Sequence, residues 1–189
     1  MKAQAFAIVV MMISLYGTAS GSAMSVYQKS DSSETEQTAE INRLRAVVRD
    51  EQVRRQDPKR AVAAINRLGE LKAESAIGDL ISILTFRQQF SKEQEEIGIV
   101  SSSQRYPAIN ALWQIGKPAL PALSAVIASK DASSIESKNA IYTVMLIFRD
   151  APKQGVKYLE DQSTTAPNQS VASRFRAAAE WTRRVITPH

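Results

Sequence analysis

Apolar side chains recur along this chain at steps of one, four and seven, and one phrase returns. Ala64-Ile65-Asn66-Arg67-Leu68-Gly69-Glu70-Leu71 reappears as Ala108-Ile109-Asn110-Ala111-Leu112-Trp113-Gln114-Ile115, with a weaker copy at Ala140-Ile141-Tyr142-Thr143-Val144-Met145-Leu146-Ile147. Such spacing lines one face of a helix. A second apolar helix is predicted after each copy: Ala76-Ile77 with Leu80, Ile83 and Leu84, then Ala119-Leu120 with Leu123, Val126 and Ile127, then Val156 with Leu159. Repeated helix pairs predict a solenoid, in which each pair buries its apolar face on its neighbours.

Breaker residues place the boundaries. Asp57-Pro58 reads as a helix start, because Asp accepts from free N–H groups and Pro suits the first helical position. The repeats then span Pro58–Leu71 and Glu74–Phe86, Arg105–Ile115 and Pro118–Ala128, and Ser134–Phe148 and Pro152–Glu160. Gly116-Lys117-Pro118 and Asp150-Ala151-Pro152 are the turns inside the second and third pairs. The polar stretch 87–104, with Glu93, Glu95 and Glu96, is an insert expected as a loop or loose helical extension. Ala39 to Gln56 is expected as one amphipathic helix capping the array, with Ile41, Leu44 and Val48 on its apolar face. After a polar spacer, Val171–Ile186 is expected to close the other end, with Phe175, Ala178, Ala179, Trp181, Thr182 and Val185 available for packing. Trp113 stands where the first copy has Gly69 and the third has Met145, which reads as a core position tolerant of volume.

Residues 1–23 resemble a secretory leader, either cleaved near Ala23 or retained as an N-terminal anchor: Lys2 is the sole charge, an apolar run covers Ala5 to Tyr16, and small residues lead to Ala23. A run of about 12 residues is short against the roughly 20 that a membrane-spanning helix needs. The chain is therefore expected to be exported, to a periplasm or outside the cell. Residues 24–38, rich in Ser, Thr, Gln and Glu, are expected to form a disordered linker before a helical domain at 39–189.

The segments Ala64–Leu84 and Ala108–Ile127 resemble HEAT repeats of the short bacterial type, the kind also found in phycobilisome-lyase-like proteins. The resemblance covers Pro58 to Glu160 and implies an all-α fold: an α-solenoid of about three HEAT-like helix pairs with capping helices. Such repeats serve adaptors, scaffolds, chromophore lyases and some nucleic-acid enzymes. The long insert and weak third copy depart from the family pattern. By analogy with that fold, the second helices would line the binding face, where Glu74, Asp79, Ser82, Ser124, Lys153, Gln154 and Lys157 occupy positions outside the apolar stripe.

The chain has no cysteine and one histidine, His189 at its end. Disulfides and thiol chemistry are excluded, and a metal site would need carboxylates alone. The run at Glu93, Glu95 and Glu96 lacks the alternating Asp, Asn and Gly of a calcium loop and reads as a solvated charge cluster. No phosphate-binding Gly loop or Gly-x-Ser-x-Gly elbow occurs, so an enzyme would have to use a carboxylate-centred site, and no cofactor is expected. Lys and Arg number 24 against 19 Asp and Glu, for a formal net charge of +5. The excess gathers at Arg43, Arg45, Arg49, Arg54, Arg55, Lys59 and Arg60. This patch is either a solvated outer face or a surface for an acidic partner or anionic membrane. No aromatic residue interleaves with it, and export argues against nucleic acid. The expected function is a non-catalytic protein-interaction or scaffold module with a protein or peptide partner. Envelope-surface attachment through the basic helix is the alternative.

Overall fold

Neither Gly nor Pro interrupts the chain between Ala23 and Asp57, and a single long helix, α1 (Ala23–Arg49), occupies most of that span. The computed structural model describes residues 23–96 and 101–186, so the leader, His189 and part of the insert lie outside the described residues. Residues 24–38, expected as a linker, fall within the span of α1. A Ser- and Gln-rich stretch without a breaker carries no strong penalty against helix. The chain divides into two units, 1–37 and 38–189, and everything that follows concerns the second.

Ile41 and Leu44 are partly buried and Val48 wholly so, the apolar face expected of this segment. The single helix expected from Ala39 to Gln56 is nevertheless broken at Asp50. Asp50 adopts extended backbone, and its carboxylate accepts from the N–H groups of Gln52 and Val53 at 2.8 and 3.2 Å. It thereby caps a separate helix, α2 (Glu51–Gln56), because a short acidic side chain competes well for exposed N–H groups. Asp57 does the same for α3 (Pro58–Glu70), accepting from Arg60 N–H at 3.1 Å with Pro58 at the first position.

After α3 a short 3₁₀ turn, Glu74–Ala76, leads into α4 (Ile77–Ser82). The insert holds two brief helices, α5 (Lys92–Glu96) and α6 (Ser102–Arg105), the latter started by a reciprocal Ser101–Gln104 capping box. Then come α7 (Pro107–Ile115) and α8 (Leu120–Ala128), separated by Gly116 at φ +83° and a 3₁₀ turn at Lys117–Ala119. Helix α9 (Ser134–Ile147) opens on a Ser133–Glu136 capping box, and α10 (Pro152–Thr164) and α11 (Gln169–Ile186) complete the order. Among the described residues there is no strand, and no helix is long and apolar enough to cross a membrane. The fold is all-α.

Contacts follow the chain. Helix α3 packs on α7 and α7 on α9, while α4 packs on α7 and α8, α8 on α9, and α10 on α11. The buried faces of the recurring phrases meet in one cluster, with Ile65, Leu68, Ile109, Leu112 and Val144 all withdrawn from solvent. One buried polar side chain joins segments far apart in the chain: Asn139 Nδ2 donates to the Leu84 carbonyl at 2.9 Å, satisfying a group that the turn after α4 leaves open.

The position shared by Gly69, Trp113 and Met145 does not tolerate volume uniformly. A Cβ on Gly69 would lie 2.7 Å from Ala111 Cα, so α3 and α7 touch backbone to backbone there. Trp113 instead sits half-buried at the edge, with the Arg149 guanidinium 4.6 Å above its ring. On α11, Phe175, Ala178, Ala179 and Thr182 are buried as expected, but Trp181 and Val185 are exposed, at 38% and 54%.

Candidate functional site

Helices α4, α8 and α10, with the 3₁₀ turn before α4, carry the residues expected to meet a partner, and the structure sorts them into two kinds. Glu74, Ser82, Lys153, Gln154 and Lys157 are exposed. Asp79 and Ser124 are not available in that way and are corrected as surface residues. Ser124 is buried and shares a 2.7 Å hydrogen bond with the Tyr158 hydroxyl, which also donates to the Leu120 carbonyl at 3.3 Å. This contact ties α8 to α10. Ser124→Ala is expected to lower stability by about 1 kcal/mol, the net worth of one such bond, while leaving partner capture unchanged. Chemical denaturation of the variant beside a pull-down would show both.

Asp79 joins the two sets of residues that the sequence keeps apart. Its carboxylate accepts from Arg45 Nε at 2.7 Å and from Arg49 Nε at 2.6 Å. Positions 45 and 49 are one helical turn apart on α1, so both guanidinium groups point at the same site on α4. The Asp79 side chain is only 12% exposed. Burial pushes its carboxyl up, but the hydrogen bonds from Arg49 and Arg45 and their charges outweigh that and hold it below the usual aspartate range.

Arg54, Arg55 and Arg43 of the basic patch are also engaged. Arg54 donates to the Val48 carbonyl and so closes the end of α1. Arg55 pairs with Glu51 one turn away, and Arg43 donates to the Ala39 carbonyl at 3.2 Å. Lys59 and Arg60 lie exposed on the first turn of α3. Next to the patch, Arg67 donates to Glu40 at 2.8 Å and reaches Glu70 at 3.2 Å; the hydrogen bond from Arg67 holds the Glu40 carboxyl low. Lys157 bonds Asp161 at 2.8 and 2.9 Å, which raises the Lys157 ammonium above its ordinary value. Exposed pairs of this kind add little stability.

What sequence reading missed is a groove between α4 and α8 with a volume of about 430 Å³. Gly78, Ile81, Ala122, Ala125 and Val126 line it, and Asp131 and Glu136 stand at its edge. Its signal in the sequence was the small residues set between core positions on both second helices. Gly78 differs in kind from Gly69. A Cβ built on Gly78 meets nothing within 4 Å, so no internal contact demands glycine there. Glycine in a helix is less favourable than alanine by about 1 kcal/mol, and here the fold receives nothing in exchange.

Among the described residues, no three His, Cys, Asp or Glu side chains gather as metal ligands. Glu93 is exposed, and the Ser91 hydroxyl donates to it at 3.4 Å; the side chains of Glu95 and Glu96 lie outside the described residues. Comparison with family models, curated proteins and solved structures returned no match.

Proposed function

We propose that this chain is an exported, HEAT-like α-solenoid that serves as a non-catalytic protein-interaction module, holding a partner peptide in the groove between α4 and α8. The contacts that run from α3 to α7 to α9 in chain order support the repeat reading, and the leader-like residues 1–23 support export to a periplasm or beyond. The observation that carries the binding role is Gly78, an exposed residue of the groove lining with open space where its Cβ would stand. Small groove residues let a partner's backbone and side chains come close to the helices. Asp131 and Glu136 at the edge favour a partner segment that presents a basic residue beside apolar ones. Because Arg45, Arg49, Arg54 and Arg55 are engaged within the chain, attachment to an anionic surface has less support than the groove.

Two substitutions at one position test this. Gly78→Ala is expected to raise stability by about 0.5–1 kcal/mol and to weaken partner capture modestly. Gly78→Leu fills the groove and is expected to abolish capture while keeping helicity and melting temperature near those of the parent. A photo-crosslinking residue at position 125, used in exporting cells, reads out capture. An undiminished crosslinked product from Gly78→Leu would sink the proposal.

A further inference from the structure

We infer that α9, α10 and α11 form a second binding site, separate from the groove, for a small carboxylate with a hydrocarbon tail. These helices enclose a cavity of about 340 Å³, within the span of roughly 300–1,000 Å³ that small-molecule sites occupy. Its wall is apolar, built from Tyr142, Leu146, Phe148 and Ile186, with Gly155 keeping α10 close to Phe148. Beside the Tyr142 hydroxyl, two lining residues carry polar groups that point to a ligand, Thr182 and Arg149.

Thr182 is 2% exposed, and its hydroxyl has no hydrogen-bond partner in the protein. A buried hydroxyl left unpaired is costly, so its retention in an otherwise apolar wall calls for a partner from outside the chain. Thr182 lines the cavity, and a step about χ1 to another staggered well re-aims its hydroxyl within reach of an occupant. Arg149 is the charged residue of the lining. Its guanidinium rests over the Trp113 ring at 4.6 Å, its side chain is 57% exposed at the cavity rim, and its pair with the neighbouring Asp150, 3.5 Å away and 92% exposed, is a weak surface contact that a ligand can displace. No carboxylate lines the cavity to satisfy Arg149 from within. Apolar walls, one unsatisfied hydroxyl and one cation suit a molecule with an anionic head and an alkyl body. A carboxylate fits the guanidinium fork with paired hydrogen bonds.

Decanoate, below its micelle concentration, is the probe, titrated into the full-length chain by calorimetry and by tryptophan fluorescence in a Trp181→Phe background. Trp113 lies outside the cavity lining and reports the site through Arg149, since a carboxylate drawn to Arg149 changes the cation above the ring. Decanoate is expected to bind, and decylamine is expected not to compete. Arg149→Gln is expected to weaken binding by about tenfold or more, as loss of a charged hydrogen bond does. Thr182→Val is expected to weaken it by about three- to tenfold and, in the ligand-free chain, to raise the melting temperature. That opposite movement of stability and affinity separates a ligand contact from a structural hydroxyl. Absence of decanoate binding overturns the inference, as does equal binding by the parent and both variants, competition by decylamine, or a lower melting temperature for Thr182→Val. Gly78→Leu leaves decanoate binding unchanged, so the two sites are tested independently.

Discussion

Gly69→Val is expected to destabilise the protein by about 3 kcal/mol, the upper part of the usual cost of forcing atoms into a filled interface. The added Cβ would stand 2.7 Å from Ala111 Cα and 2.8 Å from Gln114 Oε1. The glutamine can turn away, but the Ala111 contact is backbone, so α3 and α7 must separate. Those two helices pack through Ile65, Leu68, Ile109 and Leu112, all fully buried. Separation there disturbs many dispersion contacts at once. At about 2–4 °C per kcal/mol for a domain of this size, the melting temperature should fall by about 6–12 °C. Gly78→Val provides the control, because the same change of residue meets open space. If thermal unfolding shows equal losses at the two positions, the close crossing of α3 and α7 is wrong.

Asp79→Asn is expected to cost about 2 kcal/mol at neutral pH, the scale of hydrogen bonds to a charged acceptor after discounting the exposed Arg49. Asparagine keeps the size but leaves Arg45, whose side chain is 23% exposed, without its counter-charge. The pH dependence follows from the sign of the shift. The Asp79 carboxyl is held below its ordinary 3.8 in the folded chain, so the folded state binds its proton less readily than the unfolded state. The stabilisation is complete above 3.8 and is lost as the pH falls below that value through the lower folded pKa. Urea unfolding at neutral pH and at about pH 3 should therefore show the gap between parent and variant narrowing in acid. A gap of constant size would mean that the carboxylate charge contributes nothing and that only its shape matters.

The helices were legible where their causes are local. Asp57 with Pro58, and Gly116 before Pro118, each mark a boundary through atoms within one turn of chain, and the structure places a helix start and a helix stop at those positions. The apolar steps of the recurring phrase likewise name the buried residues, since Ile65, Leu68, Ile109, Leu112 and Val144 need only periodicity to be assigned to one face. Asp50 shows the limit of that logic. Its neighbours continue an amphipathic pattern, yet its side chain caps α2 and ends α1, because capping outweighs periodicity at a residue that can do both.

Sequence alone thus determined an all-α chain, its principal helices and their apolar faces, because periodicity and capping act over a few residues. Only the tertiary structure decided which polar groups remain for a partner. Asp79 finds Arg45, and Ser124 finds Tyr158, each 34 positions away, and both leave the surface set for that reason. It also separated two glycines that look alike in the sequence: Gly69 is pressed against Ala111, whereas Gly78 faces an open groove. The difference lies in what stands opposite each residue in space. Long-range packing sets that, and the pattern along one helix does not contain it.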